Sequence, residues 1–148
     1  MEEFKKALNY SFLLLKYRAR SEREIIGRLK KKNFSLSAIK KTINFLKEKG
    51  YLNDSEFVSS FIREEIRKGF GKSKIYFKLK SLGVEEDIIK KKIDSIDTAH
   101  YKEKIKKIIE GLSKRYSTSK NKKGKIVRYL YQRGFALEDI IEILDEYR

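Results

Sequence analysis

The chain has no cysteine and no proline, a single histidine and only eight glycines among its 148 residues. Without cysteine, disulfides, thiolate metal sites and thiol catalysis are all excluded. His100 has no second imidazole or thiolate to share a metal with, so a surface or capping role is expected for it. The glycines do not form a phosphate cradle: Gly69-Phe70-Gly71-Lys72 is too short for a Walker-type loop and lacks its first-glycine spacing. Serines such as Ser21 and Ser73 stand in no pattern that brings a base to them. No catalytic residue, cofactor or metal is therefore expected, and the chain reads as a binding protein rather than an enzyme. Long apolar runs are missing too. Phe12 to Leu15 is the longest, far too short to span a bilayer. The acidic opening Met1-Glu2-Glu3 has no signal-peptide core. These features predict a cytoplasmic protein without a membrane partner.

What is abundant is positive charge. Lys and Arg number 37 against 21 Asp and Glu, a formal net charge of +16. A surplus of this size favours a polyanionic partner, because neutralising phosphates releases condensed counterions. The basic residues are spread along the whole chain rather than gathered beside one apolar stripe, which argues against a membrane surface. Lys, Glu, Leu and Ile dominate, and with no proline to interrupt them they suit helices better than sheet.

The sequence repeats itself about every fifty residues. Aligned on Leu29, Leu79 and Leu130, three segments agree without gaps. Just upstream lie Ile25-Ile26, Ile75-Tyr76 and Ile126-Val127. Four residues downstream comes Asn33, Gly83 or Gly134, followed by Phe34, Val84 or Phe135. Further on come Ile39/Ile43, Ile89/Ile93 and Ile140/Leu144, then Leu46, Ile96 and Tyr147. The first group is the inner face of an amphipathic helix. The Gly or Asn is the left-handed residue that ends it, and the later group is the inner stripe of another helix. This short-turn pair resembles a helix-turn-helix.

A further helix precedes each pair. These are predicted at about Glu3–Arg18 with Leu8, Phe12 and Leu15 inward, Asp54–Lys68 with Phe57, Phe61 and Ile66, and Tyr101–Lys114 with Ile105, Ile108, Ile109 and Leu112. Ser21 to Glu24 has capping-box spacing, Asp54 reads as an N-cap, and Glu85-Glu86-Asp87 suits a first helical turn. Residues 117–124 read as a lysine-rich loop. The expected fold is all-α: three tandem three-helix, helix-turn-helix-like repeats at 1–52, 53–99 and 100–148, in an elongated or curved array. Units this small gain stability by packing on their neighbours. A monomer is expected.

Residues 1–52 carry 14 basic and 5 acidic side chains, residues 53–99 carry 10 and 9, and residues 100–148 carry 13 and 7. Within the first two units the basic residues cluster around the first-to-second helix junctions. The candidate binding residues are therefore Arg18, Arg20, Arg23 and Arg28 in the first unit, and Arg63, Arg67, Lys68, Lys72, Lys74 and Lys78 in the second. Arginine's planar fork grips phosphate or carboxylate in bidentate fashion. Most aromatics fall on inner stripes; Tyr51, Phe70 and Tyr76 are the candidates for surface roles.

Two stretches carry a family resemblance. Arg18, Arg20-Ser21-Glu22 and Glu24 resemble the signature R-x-R-S-E-x-E-L, with Ile25 in place of Leu. Leu46 and Gly50-Tyr51-Leu52-Asn53-Asp54 resemble L-x-x-x-G-Y-L-D-D, with Asn53 in place of Asp. Phe57, Phe61, Arg67, Gly69, Gly71-Lys72, Ile75, Leu79 and Gly83 follow in register, with Phe70 interrupting a Gly-Lys-Gly run. Over residues 7–93 the chain resembles the RecX family, regulators of the RecA recombinase. The resemblance implies a protein that lies in the groove of the RecA filament on single-stranded DNA. It also implies lowered ATP hydrolysis, filament growth and strand exchange in DNA repair, recombination and the SOS response. Two rivals stand beside it: a direct DNA-binding helix-turn-helix protein such as a repressor, and a scaffold for an acidic protein. Lysines such as Lys40, Lys41, Lys90 and Lys91 on the third helices suit phosphate contact better than base reading. If about six phosphates of single-stranded DNA are neutralised, the log–log salt slope of binding should be near −4. Affinity indifferent to salt would sink the polyanion argument.

Overall fold

The computed structural model describes residues 1–147, the side chain of Tyr147 excepted. Among the described residues there are nine helices and no strand. In order they are α1 (Glu2–Tyr17), α2 (Glu22–Lys31), α3 (Leu36–Glu48), α4 (Asp54–Arg67), α5 (Lys72–Ser81), α6 (Glu86–Asp94), α7 (Thr98–Arg115), α8 (Lys122–Gln132) and α9 (Leu137–Tyr147). They form three bundles in chain order, α1–α3, α4–α6 and α7–α9.

The repeat describes the cores. Leu29, Leu79 and Leu130 are all fully buried, and so, or nearly so, are Ile25, Ile75 and Ile126 before them. Ile39, Ile89 and Ile140 bury the inner faces of α3, α6 and α9. Leu46 is fully buried, Ile96 only half-buried; the third member of that column, Tyr147, has its side chain outside the described residues. The helix-ending positions all take the left-handed conformation: Gly83 at φ 82, Gly134 at φ 98, and Asn33 at φ 63 as the one non-glycine among them.

Three local expectations are corrected. The fully buried line of α1 is Ala7, Ser11 and Leu14, with Leu8, Phe12 and Leu15 half-buried on its flank. Ala7 and Ser11 sit there because small residues let helices approach, and the Ser11 hydroxyl donates to the Ala7 carbonyl at 2.9 Å, which satisfies its polarity in the core. The cap of α4 is Asn53, whose side chain accepts from the Glu56 amide at 3.2 Å. Asp54 instead accepts from the Glu22 amide of the neighbouring unit at 2.8 Å. Lys122 to Gly124 are the first turn of α8, capped by Asn121, so the loop is shorter than the lysine-rich composition suggests.

The bundles are joined at two places, each where the C-terminus of one helix meets the start of another. The N-terminus of α5 docks on the C-terminus of α8: the Gly71 amide donates to the Arg133 carbonyl at 2.8 Å and the Ser73 amide to the Gly134 carbonyl at 3.1 Å. Between them the Lys72 amide donates to the Tyr101 hydroxyl at 2.9 Å. One step along, α5 presents its own C-terminus to α2, where the Ser21 hydroxyl donates to the Leu82 carbonyl at 2.8 Å. Helix ends leave amides and carbonyls without intrahelical partners; where α5 meets α8 one helix's surplus satisfies the other's, and at α2 a side-chain hydroxyl donates to the carbonyl. The dipoles run head to tail, which is the favourable order.

The two joints differ in what surrounds them. The second and third bundles share one continuous apolar core that runs from Phe57 to Leu144, with Tyr101 and Phe135 rings 5.6 Å apart beside the joint. The first bundle has its own core and meets the second mainly through polar groups. The accessible surface, 9923 Å², exceeds the roughly 7,900 Å² expected of a compact chain of 17.6 kDa. That excess is what an end-to-end array exposes.

The joints impose close approach. A Cβ on Gly71 would lie 2.4 Å from the Gly134 carbonyl carbon, whereas one on Gly111 would meet nothing within 4 Å. Gly71→Ala should therefore cost about 1–3 kcal/mol in chemical denaturation, and Gly111→Ala, inside α7, should stabilise by about 0.5–1 kcal/mol. Equal effects would mean that the helix ends do not meet.

Tyr101 provides a pH test. Burial pushes its hydroxyl up from 10.0 to about 12. Below pH 10 the phenol is protonated folded or unfolded; between those values only the folded chain keeps the proton. Stability should then fall by about 1.4 kcal/mol per pH unit as pH rises through that window. Tyr101→Phe should lose this part of the decline, and a variant with an unchanged slope would contradict the assignment.

Candidate functional site

The structure sorts the ten candidate basic residues by how fully their charge is already used. Arg18 and Arg20 converge on Glu24: the Arg18 guanidinium meets its carboxylate at 2.5 Å and that of Arg20 at 3.9 Å. Glu24 also accepts from the Ser21 amide, completing the capping box at the start of α2. Arg20 is mostly buried and donates through Nε to the Leu14 carbonyl at 3.3 Å, tying α1 to α2. Burial, followed by the neighbouring Arg18 charge, pulls its pKa below the usual arginine value. This clamp is structural first.

Arg67 is held by Glu64 at 2.5 Å, a pairing that raises the pKa of the guanidinium and lowers that of the carboxyl. Lys68 and Lys78 share Glu65, at 3.5 and 2.5 Å. Glu65 is 5% exposed, and a carboxylate this deep needs its cations. Lys78 also stands 3.6 Å over the Phe70 ring, with the Arg133 guanidinium 4.7 Å from the same ring. Phe70 thus collects a cation from each side of the joint between the second and third bundles.

Among the described residues, Arg23, Arg28, Arg63, Lys72 and Lys74 have no carboxylate within ion-pair distance. Arg23 packs its stem against Gly83, where a Cβ would lie 2.3 Å from Arg23 Cδ. Arg28 approaches the Tyr10 hydroxyl at 3.4 Å and Arg63 the Ser60 hydroxyl at 3.3 Å. Lys72 sits 4.6 Å over the Tyr101 ring. Lys74 is exposed at the second joint.

Six of the ten residues line three regions. Arg18, Lys68 and Lys78 line a cleft between the first two bundles. Lys78 also belongs to a second cleft of about 750 Å³ across the joint of α5 and α8, together with Lys74. The two clefts meet at Lys78. Arg63 and Arg67 open instead onto a groove between α4 and α7.

Two residues of the joint cleft escaped sequence reasoning. Phe77 and Tyr131 line it and are 65% and 63% exposed, which the core cannot explain. Phe77 lies two residues before Leu79 and Tyr131 one after Leu130, off the inner stripe in both helices. That placement was the readable signal. Of the three aromatics expected at the surface, Tyr51 is exposed, while Phe70 and Tyr76 are half-buried, Tyr76 donating to Glu86 at 2.5 Å.

The stretches that carry the family resemblance prove to be partners in space. Glu22 of the first meets Asp54 of the second, and Ser21 reaches Leu82, so both stretches build the first joint. Models of the family match twice: RecX, first three-helix domain, over residues 7–46, and RecX, second three-helix domain, over residues 53–92. The regulatory protein RecX of Caldanaerobacter subterraneus is 32% identical over 143 residues, 97% of this chain and 71% of the relative. That of Thermotoga petrophila is 40% identical over 144 residues, 96% and 84% of the two chains. The crystal structure of RecX from Lactobacillus salivarius has a TM-score of 0.87 at 25% identity, covering 99% of this chain and 97% of its own. Two matched domains, a closely similar solved fold and relatives aligned through the third bundle lead to one conclusion: the chain belongs to the RecX family.

Proposed function

We propose that this chain is a non-enzymatic cytoplasmic regulator of RecA that binds the RecA–single-stranded DNA filament and restrains its ATPase, growth and strand exchange. The observation that carries this reading is the cleft at the joint of α5 and α8. There an unpaired cation, Lys74, stands beside two exposed rings, Phe77 and Tyr131. Cations track a phosphate backbone and rings stack on bases of any sequence, the combination that single strands require.

The joints serve the same end. They place Arg23 beside Gly83 and Lys74 beside Gly134, cations of successive units against successive junctions. A filament offers its contacts repeatedly, and an array that meets it at several points gains from high local concentration after the first. Arg18, Arg20, Lys68 and Lys78, already paired, shape this surface; Arg23, Arg28, Lys72 and Lys74 keep charge to spend on phosphate or carboxylate. A monomer suffices for this mode.

The repressor reading is weaker on one specific ground. The third bundle's last helix, α9, turns Glu138 and Glu146 outward beside Glu142 and Asp145, which are paired with Lys102 and Lys123, and a face without surplus cations is ill suited to entering a groove of DNA. The experiment is RecA's DNA-dependent ATPase with wild type and the Lys74→Glu/Tyr131→Ala variant. One lost stacking ring is worth about 1–3 kcal/mol, so half-suppression should need about tenfold more of the variant, with unchanged circular dichroism. Undiminished suppression by the folded variant would place the contact elsewhere.

A further inference from the structure

We propose that the groove between α4 and α7 is a docking site for an acidic amphipathic segment of a partner protein, separate from the DNA-facing cleft and independent of it. The groove encloses about 600 Å³, room for one or two side chains of a ligand. Its floor is aliphatic: Ile62 and Ile66, 5% and 6% exposed, with half-buried Ile96. Its rim carries Arg63, Lys92, Lys104 and Lys107. Among the described residues none of these four has a carboxylate within ion-pair distance. Lys104 is fixed by donating to the Arg67 carbonyl at 3.0 Å. The single acid of the lining, Asp97, is occupied as the cap of α7, accepting from the Ala99 amide at 3.0 Å. Arg67 is spent on Glu64.

The chemistry selects the occupant. Apart from His100 the lining has no ring, so a nucleobase would find no stacking platform there. A branched aliphatic floor instead rewards Leu, Ile or Phe, worth about 1.5–3 kcal/mol when fully buried. Four unneutralised cations around that floor reward carboxylates on either side of the apolar anchor. Both demands are met by a helix or strand with apolar residues on one face and Asp or Glu flanking them. Lys74, Phe77 and Tyr131 line a different cleft, so the two surfaces can be filled at once.

The probe is a fluorescein-labelled peptide with two leucines four residues apart, flanked by Glu and Asp, followed by anisotropy on the full chain. A control peptide replaces both leucines with serine at equal charge. Wild type should bind the leucine peptide at least tenfold more tightly than the control. Lys92→Glu/Lys107→Glu, on exposed and half-buried surface positions, should lose about tenfold in affinity with helicity intact. An oligothymidylate should leave the bound peptide in place. Equal binding of both peptides would reduce the effect to attraction by a +16 chain and overturn the proposal. Displacement by oligothymidylate would overturn it in favour of nucleic acid, and undiminished binding to the double variant would move the peptide off the groove.

Discussion

The contact between one helix's free carbonyls and donors at the start of the next helix, backbone amides at one joint and the Ser21 hydroxyl at the other, turns three small bundles into one molecule. Where α8 ends, α5 begins, and where α5 ends, α2 begins. Each bundle alone has a thin core and two polar helix ends to satisfy. In the array the carbonyls of Arg133, Gly134 and Leu82 each find a donor from the neighbouring bundle, and the C-terminal end of α2 lies beyond the last joint. That end is the one that carries Asn33 where the joined ends carry glycine. A side chain is tolerated at φ 63 there, while at Gly134 a Cβ would strike Lys74.

Much of this was legible in the sequence, and the reason is physical. A column of Leu29, Leu79 and Leu130 repeats because each is fully buried at the same place in its bundle, where an apolar side chain is required. The left-handed positions were readable because only glycine and asparagine take that conformation at low cost. The face of α1 was misjudged by one residue because its deepest positions are Ala7 and Ser11, small residues that carry little hydrophobic signal yet permit the closest packing. Asp54 was misjudged because its partner, Glu22, lies in another bundle, and a local pattern holds no information about a contact at that separation.

The candidate site was legible in kind and not in detail. Composition and the junction clusters pointed to cations as a class of side chain. Which cations are free depends on Glu24, Glu64 and Glu65, whose roles appear only when the helices are packed. Glu65 is the clearest case: it reads as one more surface acid on α4, and it lies buried between Lys68 and Lys78. Phe77 and Tyr131 were masked by the habit of assigning aromatics to cores, although both fall off the inner stripe. Family membership now gives these surfaces a context, and the joints explain how small units present them in a fixed order.

That order rests on the joint being closed in solution, and amide hydrogen exchange read by NMR tests it directly. The first amides of a helix are normally among its fastest exchangers, because they have no intrahelical acceptor. The amides of Gly71 and Ser73, donated to Arg133 and Gly134, should exchange as slowly as that of Ile75 within α5. The amides of Lys122 and Lys123, at the open start of α8, should exchange fast. Fast exchange at Gly71 and Ser73, matching Lys122, would show that the bundles part at the joint and contradict the account.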